Sequence, residues 1–395
     1  MMSKVKIGDV CNILNGFAFK SERYVDEGIR VIRITNVQKG YIEDEKPQFY
    51  PVAETENIKD YILQENDLLL SLTGNVGRVA MLDKSFLPAA LNQRVACLRI
   101  KDSGIVLKYL YYALLSNKFE NECISSAKGI AQKNMSTEWL KGYEITICSN
   151  KKQIEIVAVL DNLMKIISAR KRQLQQLDEL VKARFVEMFG DPVINDKGWL
   201  IDKLGNYMTT LTDFSANGSY ELLDSNVVMY DEPNYAIMVR TTDLESGNLT
   251  SGVKYIDESA YNLLDKSKLF GGELIMNKIG SAGKIYVMPH INHPASLGRN
   301  AFMFRFDSRL DMTYLYALLT SDYGVNEIQQ YVRGAVTKTI TKDSTRSIRI
   351  IVPPIELQNE FADFVKQIDK SKVVVQKALD EAQTLFDSLM QEYFG

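Results

Sequence analysis

The sequence has few of the side chains that metal binding and disulfide frameworks require. It holds two histidines and four cysteines among 395 residues. His290 and His293 could pair on a metal ion, but no further ligand clusters with them, so a surface loop is the better interpretation and we expect no metal site. The cysteines lack zinc or redox spacing, so we expect reduced thiols in a cytosolic protein. They are Cys11, Cys97, Cys123 and Cys148.

Long apolar runs and an excess of positive charge are also missing. The longest apolar run, 105–115, is interrupted by Lys108 and is too short to span a bilayer. The N-terminus lacks the apolar core of a signal peptide, which favours a cytoplasmic location. A net charge of −3 and a pI of about 5.7 argue against a simple charge-driven polyanion binder. They leave open a nucleic-acid reader with local basic loops.

What the chain does have is an internal repeat. Glu187, Phe189 and Gly190 recur as Glu392, Phe394 and Gly395, about 205 positions later. The offset stays nearly constant upstream, where further residues recur in the same order. These pairs are Gln153 and Gln358, Gly129 and Gly334, Lys133 and Lys338, Gly74 and Gly280, Gly77 and Gly283, Leu91 and Leu297, Arg99 and Arg305, and Arg33 and Arg240. A period this long indicates a duplicated domain and excludes a solenoid.

Each half has the same predicted layout. Alternating β-branched and aromatic residues come first, followed by a short helix, a Gly-Lys loop, one more strand and a long helix. The predicted strands are 31–34, 67–71, 95–100 and 143–147 in the first half and 237–240, 273–277, 301–306 and 347–352 in the second. The predicted short helices are 107–115 and 313–319.

The long helices carry an imperfect heptad seam, interrupted by Arg170, Arg184 and Lys372. We expect the two helices to pair antiparallel; the alternative is that each packs on its own domain. The predicted fold is α+β, with two similar globular domains joined and separated by two long antiparallel helices in a pseudo-two-fold repeat. The residues predicted to pack in the seam are Leu160, Ile167, Leu174, Leu177, Val181, Val365, Ile368, Val375, Leu379 and Phe386.

A helical spacer between two similar bodies suggests a two-point ruler. The stretch 153–188 is roughly 54 Å long at about 1.5 Å per residue. B-DNA advances about 3.4 Å per base pair, so this length corresponds to roughly 16 base pairs. Two such bodies could read two short half-sites with an unread gap between them.

Three kinds of motif stand out: Ile7-Gly8-Asp9-Val10 with Gly16-Phe17-Ala18-Phe19-Lys20, the stretches 72–79 and 278–285, and the stretch 129–136. Together they resemble the motifs of the specificity subunits of Type I restriction–modification systems. The first is similar to the opening of a target-recognition domain. The stretches 72–79 and 278–285 resemble its internal Thr-Gly-x-x-Gly turn, and 129–136 resembles its Gly-x-x-Gln loop. The stretch 352–358 resembles the entry to the family's conserved helix, and 188–192 resembles the exit. The first helix lacks the Pro-Pro entry, Thr337 replaces Gln132 in the second loop, and 206–236 lengthens the second domain.

The resemblance implies the organisation of the chain. It places a first target-recognition domain at 1–150, a central conserved helix at 151–190, a second recognition domain at 191–354 and a distal conserved helix at 355–395. It also implies three kinds of partner: double-stranded DNA, two modification (methyltransferase) subunits, and restriction (ATP-dependent translocase and endonuclease) subunits. No association with a membrane is expected. S-adenosylmethionine, ATP and magnesium are expected in those subunits, with no cofactor bound by this chain.

Catalytic motifs do not stand out. The one Pro-Pro pair, Pro353-Pro354, is followed by Ile355 and does not fit the motif of an adenine methyltransferase. The segment 280–284 invites a P-loop interpretation, but its glycines are too close together and Ile285 replaces Ser or Thr. We therefore predict a non-enzymatic subunit. The alternatives are a fused, self-sufficient enzyme, a helical scaffold without DNA readout, and a specificity subunit that serves methylation only.

DNA readers need donors and acceptors for base edges and cations for phosphates, and loops that follow strands are the natural position for them. The Gly-x-x-Gly turns could instead be purely conformational, and Arg99 and Arg305 are expected on a solvated strand face. The predicted contacts in the first domain are Arg33, Thr35, Asn36, Thr73, Asn75, Arg78, Asn92, Gln93, Arg94, Lys128, Gln132, Lys133 and Asn134. Those in the second are Arg240, Thr242, Asp243, Lys278, Ser281, Lys284, Arg299, Asn300, Arg333, Thr337, Lys338 and Thr339.

Overall fold

The computed structural model describes residues 3–127 and 134–395. The chain divides into two compact units. One is made from two separate stretches of sequence, and the other is one long internal stretch. The first unit is Met1–Arg172 with Gln376–Gly395, and the second is Gln173–Val375. We call residues 3–149 the first module and residues 191–354 the second module. Each unit therefore holds one module together with the nearer parts of both long helices.

The first module is built around two small sheets. In the four-stranded antiparallel sheet the order is Cys11–Asn15, Val95–Ile100, Leu68–Ser71 and Val79–Met81. In the three-stranded sheet Ile29–Ile32 lies between Phe49–Tyr50 and Ala89–Leu91, antiparallel to the former and parallel to the latter. Ser3–Lys6 pairs with Glu144–Ile147. The helices are Ile7–Val10, Leu107–Leu115, Asn117–Ser126 and Thr137–Gly142, with 3-10 turns at Ser21–Arg23, Val52–Tyr61 and Lys84–Phe86.

The second module repeats this plan. Its antiparallel sheet has the order Met208–Asp213, Ala301–Phe306, Leu274–Asn277 and Ile285–Val287. Its mixed sheet has the order Lys254–Ile256, Ala236–Val239, Ala295–Leu297 and Lys268–Leu269, with the middle two strands parallel. Leu200–Lys203 pairs with Arg349–Val352. The helices are Tyr220–Asn226, Thr241–Ser246, Glu258–Leu263, Met312–Thr320, Asp322–Gln329 and Lys342–Ser347, with 3-10 turns at Leu204–Tyr207, Phe214–Asn217 and Asp265–Ser267.

The predicted strands are present, with small differences at their ends. Val95–Ile100, Ala301–Phe306 and the helix Leu107–Leu115 have the predicted bounds. The strand predicted to run to Ile34 stops at Ile32, because the Arg33 amide donates to the Asn36 side chain and closes a turn. In each module a further helix directly follows the predicted short helix, at Asn117–Ser126 and at Asp322–Gln329. Sequence reasoning missed both of these helices, although Ser116 and Ser321 cap them with their hydroxyl groups.

Each long helix has 40 residues: the central helix is Asn150–Phe189 and the distal helix is Ile355–Phe394. In the second unit they run antiparallel, since Asp178 pairs with Lys372 at 2.7 Å while Arg184 pairs with Glu360 at 2.8 Å. Two of the charges that break the heptad seam are thus neutralised across the helix pair.

The residues predicted for the seam are buried or half-buried. In the first unit Leu160, Ile167, Leu379 and Phe386 are all under a tenth exposed. In the second unit Ile368 and Val375 are equally buried, and Val181 and Val365 pack on the core that contains Phe361. Leu174 and Leu177 are half-buried.

A buried glutamine near the start of each long helix ties the helix to its module. Gln153 accepts a hydrogen bond from the Val106 amide at 2.9 Å and donates to the Gly104 and Cys148 carbonyls. Gln358 makes the same three kinds of bond: it accepts from the Asp311 amide and donates to the carbonyls of Arg309 and Pro353. This recurring residue therefore has one structural role in both copies.

Candidate nucleic-acid interface

In the first module, polar side chains gather where two parallel strands end. Ile32 is in register with Leu91, so the loops that follow both strands emerge at one edge of the sheet. They surround a cleft of about 270 Å³. It is lined by Tyr24, Arg33, Ile34, Thr35, Asn92, Gln93 and Arg94. Two separate groups of predicted contacts, Arg33 with Thr35 and Gln93 with Arg94, thus come together on one surface.

The second module has a cleft at the same place. Val239 is in register with Leu297 on parallel strands, and the following loops enclose about 380 Å³. The lining residues are Phe214, Val227, Met229, Met238, Val239, Arg240, Thr241, Thr242, Gly298, Arg299, Asn300 and Ala301. The predicted contacts Arg240, Thr242, Arg299 and Asn300 occupy the repeat positions of those in the first cleft. The apolar lining from Phe214, Val227 and Met229 belongs to the segment in which the modules differ most.

The Gly-x-x-Gly turns and the loops after the helices join the same region through the backbone. In the first module the Leu72 amide donates to the Arg94 carbonyl, and the Leu72 carbonyl accepts from the Met135 amide. Thr73 and Asn134 form a backbone bridge. In the second module the Lys278 amide donates to the Asn300 carbonyl, and the Gly280 amide donates to that of Lys338.

These backbone contacts connect the glycine turns to Arg94 and Asn300, which line the clefts. Asn75, Asn134, Ser281, Arg333, Thr337 and Lys338 are exposed, and Thr339 is half-buried. The Arg333 guanidinium donates to the Gln330 carbonyl at 2.7 Å. The predicted contacts Lys128, Gln132 and Lys133 lie outside the residues that the structure describes.

The paired glycines have a conformational role. Gly280 and Gly283 take φ values of 80° and 88° in the turn between two strands, and Gly74 and Gly77 adopt the same left-handed backbone. A Cβ on Gly283 would lie 2.6 Å from the Ile328 side chain. The turn therefore fits tightly under the helix Asp322–Gln329, and its glycines are needed for backbone geometry whatever else the loop binds.

Two predicted contacts of the first module, and Asp243 in the second, are buried and committed to their own loops. Asn36 is 4% exposed; it accepts from the Arg33 amide at 2.9 Å and donates to the Glu43 carbonyl at 2.7 Å. Asn92 is 7% exposed and accepts from the Arg94 amide. All three are positioning residues, which corrects the expectation that they present their side chains to a ligand.

Arg99 and Arg305, expected on a solvated strand face, are only partly exposed, and each is bound to a buried carboxylate. Arg99 donates two hydrogen bonds of 2.7 Å to the buried carboxylate of Asp67 and a third to the Ile62 carbonyl. Arg305 makes the equivalent contacts to buried Glu273 and to the Lys268 carbonyl. In each module the acidic residue stands directly before a strand, and because it is buried it needs a cationic partner. That acid was the signal in the sequence for the ion pair.

Carboxylates hold several of the predicted cations of the second module. Arg240 is bound by Asp243 at 2.6 Å, Arg299 by Asp224 at 3.1 Å, and Lys284 by Glu245. The hydrogen bonds that Arg240 donates to Asp243 and Lys284 donates to Glu245 raise the pKa values of Arg240 and Lys284. The Arg299 guanidinium also lies 5.1 Å from the centre of the Phe214 ring.

A further lysine at this site was not predicted. Lys342 and Lys278 both donate to the buried Asp213, each at 2.8 Å. Burial raises the pKa of Asp213, but the hydrogen bonds and charges of the two lysines outweigh it and the pKa is lowered. Lys342 opens the short helix Lys342–Ser347, far from Asp213 in sequence, so only the tertiary structure shows this triad.

Neither a metal centre nor a membrane span is seen in the described part of the chain. Among residues 3–127 and 134–395, no group of three or more His, Cys, Asp and Glu could hold a metal ion. None of the described helices has the length and apolar character needed to cross a bilayer. His290 packs beside Gly271, and the His293 ring lies 3.1 Å from the Pro294 carbonyl oxygen.

Specificity subunits of Type I restriction enzymes are among the proteins to which this chain is similar in sequence. The chain is 25% identical to the Type I restriction enzyme MjaVIII specificity subunit of Methanocaldococcus jannaschii, covering 93% of this chain and 92% of that protein. It is 22% identical to the EcoBI specificity subunit of Escherichia coli, covering 99% and 85% of the two chains.

Solved structures share the fold. The crystal structure of the S subunit of a Type I restriction–modification system from M. genitalium superposes with a TM-score of 0.58 at 16% identity, covering 100% of this chain and 96% of that chain. A family model for the Type I restriction modification DNA specificity domain matches residues 2–179 and again residues 205–382. With two copies that span most of its length, the chain belongs to the family of Type I restriction–modification DNA specificity subunits.

Proposed function

We propose that this chain reads an asymmetric bipartite sequence in double-stranded DNA, one half-site per module, for a Type I restriction–modification complex. The observation that carries the proposal is the pair of clefts at equivalent strand ends, each bordered by side chains able to bond base edges. Arg, Asn and Gln are the residues best suited to such bonds, because their donors and acceptors match guanine and adenine in the major groove.

The differences between the clefts support an asymmetric target. Gln93 and Arg94 border the first cleft where Arg299 and Asn300 border the second. The second cleft also has an apolar wall with Val227 and Met229, which could contact a thymine methyl group. Two different linings in one scaffold would select two different half-sites. The 40-residue helices would set the unread spacing between them.

The helices also offer a surface for partner subunits. In the second unit a groove of about 920 Å³ runs beside the helix pair. Its wall includes the half-buried Val181 and the exposed Val186 and Tyr316, with Lys182 and Asp322 at polar positions. An apolar groove with charged residues suits a protein partner. We infer that modification subunits dock on the helices, one per half, and that restriction subunits join them.

Catalysis would then belong to those partners. We propose that this cytoplasmic chain carries no catalytic centre, and that S-adenosylmethionine, ATP and magnesium bind to the modification and restriction subunits. Adenine methylation requires the base to be flipped out of the duplex into a methyltransferase pocket, which the docked subunit would supply.

Mapping of N6-methyladenine tests the proposal. The chain and its neighbouring methyltransferase are expressed together in cells that lack other adenine methylation, and the methylated sites are sequenced. We expect a two-part motif with a fixed gap. Arg94→Ala should relax only one half of it, and Asn300→Ala only the other. Methylation without a two-part motif would refute bipartite reading, and methylation by the chain alone would favour a fused enzyme.

Two alternative functions have distinct outcomes. A helical scaffold without DNA readout predicts that the complex retains all random duplexes equally in a mobility-shift assay. A specificity subunit serving methylation only predicts the same two-part methylome, but no restriction of unmodified phage when all neighbouring subunits are present.

A further inference from the structure

Two positions in one loop carry amides in the first module and carboxylates in the second. The loop follows the strand Ile29–Ile32 in one module and Ala236–Val239 in the other. By the repeat, Asn36 corresponds to Asp243, and Gln38 corresponds to Glu245. In both modules these side chains hydrogen-bond with the basic residue at the cleft border or at its neighbouring turn, through its backbone or its side chain.

The first of these positions holds the arginine at the strand end. Asn36 and Asp243 close the same kind of turn. The Asn36 side chain accepts a hydrogen bond from the Arg33 backbone amide at 2.9 Å, and the Asp243 side chain accepts one from the Arg240 backbone amide at 2.8 Å. Asp243 additionally binds the Arg240 guanidinium through both of its oxygens, at 3.0 Å and 2.6 Å. The Arg33 guanidinium instead donates to the Lys46 carbonyl, and its buried Nε has no partner in the described structure.

The second position repeats the difference at the glycine turn. Arg78 donates to the neutral amide oxygen of Gln38, whereas Lys284, at the equivalent place, donates to the carboxylate of Glu245. Among the described residues, no carboxylate forms an ion pair with Arg33, Arg78 or Arg94. Asp44, which lies 3.2 Å from the Asn36 amide, is paired with Arg30.

We propose that these two positions set the electrostatic share of each module in DNA binding. Amides at 36 and 38 leave the first module's arginines with their full charge for phosphates, whereas carboxylates at 243 and 245 neutralise the equivalent cations of the second. The inference rests on the proposed DNA-reading function and adds a division of labour. The first module supplies most of the ionic attraction, and the second selects its half-site mainly through neutral donors, acceptors and apolar contacts.

The salt dependence of binding separates these contributions. The slope of log Kobs against log salt is negative, and each phosphate neutralised by a cation adds about 0.9 to its magnitude, irrespective of sequence. A labelled random-sequence duplex is therefore a sufficient probe, and the full-length chain is titrated with it at several salt concentrations. The target sequence need not be known.

Near-isosteric exchanges provide matched variants. Asn36→Asp with Gln38→Glu installs the second module's carboxylates in the first, and we expect the magnitude of the slope to fall by about 1 to 2. Asp243→Asn with Glu245→Gln releases Arg240 and Lys284, and we expect the magnitude of the slope to rise by a similar amount. Asn162→Asp with Gln176→Glu makes the same change of net charge at two exposed positions of the central helix and should leave the slope nearly unchanged.

The outcomes distinguish the inference from the proposed function. If the exchanges in the loop shift the slope no more than the helix control does, the division of labour is wrong while DNA binding stands. If the wild-type chain retains no duplex even at low salt, and does not do so together with its neighbouring methyltransferase either, both fail. A carboxylate at position 36 would lie beside Asp44 and could disturb the loop. Gln38→Glu alone avoids this and still tests whether pairing Arg78 with a carboxylate lowers the magnitude of the slope. Circular dichroism confirms that each variant is folded.

Discussion

Phe189, the last residue of the central helix, packs edge to face on Tyr314, with their ring centroids 4.6 Å apart. The repeat places the same contact at the end of the distal helix, where Phe394 lies 5.2 Å from Tyr109. The central helix therefore begins in the first unit and ends on the core of the second, and the distal helix does the reverse. The recurring Phe-Gly ending is the anchor of each helix on the module that it does not start from.

Removing this anchor should destabilise the second unit. Phe189 is fully buried among Phe185, Tyr314 and Phe361, and Phe189→Ala should lower the free energy of unfolding by about 3 to 5 kcal/mol. Trp199, whose indole donates to the Phe189 carbonyl, reports this unit by fluorescence once Trp139 is replaced by Phe. Val186→Ala, at an exposed position of the same helix turn, is the control. Equal urea midpoints for the two variants would contradict the anchor role.

The buried glutamine of the distal helix should be intolerant of substitution. Gln358→Ala leaves the Asp311 amide and the Pro353 carbonyl without their partner, and each unsatisfied buried group costs about 1 to 3 kcal/mol. Exposed Gln367→Ala should change stability by less than about 0.5 kcal/mol. Urea unfolding of both variants tests this, and a Gln358→Ala midpoint close to that of the control would show that water replaces the lost bonds.

Two arginines of the first module should separate stability from DNA binding. Arg99→Ala leaves the buried Asp67 carboxylate without its ion-pair partner and should cost about 3 kcal/mol in unfolding free energy. Arg94→Ala, at an exposed position, should leave stability unchanged and weaken DNA binding. Thermal unfolding and duplex titration of both variants check this. A stable Arg99→Ala variant would mean that Asp67 is satisfied without the guanidinium.

The two glycines of the second module's turn should differ in their tolerance of alanine. Both have positive φ, which costs about 1 to 2 kcal/mol for an L side chain. A Cβ on Gly280 meets open space, whereas one on Gly283 lies 2.6 Å from Ile328. Gly283→Ala should therefore lower the melting temperature more than Gly280→Ala does. The reverse order would indicate that the helix Asp322–Gln329 moves easily.

The Asp213 triad should make stability depend on pH in the acid range. Burial raises the pKa of Asp213, but Lys278 and Lys342 lower it by a larger amount. Its pKa in the folded protein therefore lies below its unfolded value of about 3.9. The stabilisation is present above the unfolded pKa and is lost as the pH falls through the folded one. Urea unfolding below about pH 4 should lose stability more steeply for the wild type than for Asp213→Asn. Parallel curves would show that the triad contributes nothing to this dependence.

Much of the architecture follows from local patterns. The recurring Phe-Gly, the heptad seam and the runs of β-branched residues predicted the duplication, the long helices and most strands, because these depend on nearby residues and on apolar periodicity. Asn36 illustrates where such reasoning stopped. A polar residue after a strand looks like a candidate contact, and only packing shows that its side chain is buried in its own turn.

The sequence by itself determined that one scaffold occurs twice, that long amphipathic helices close both copies, and that polar loops follow the same strands in each. Only the tertiary structure decided which cations are already bound by carboxylates. Asp213 joins lysines from two distant loops, and Asp243 holds Arg240 where Asn36 leaves Arg33 without a carboxylate. Charge partners are chosen by distance in space, which the fold sets and sequence spacing does not.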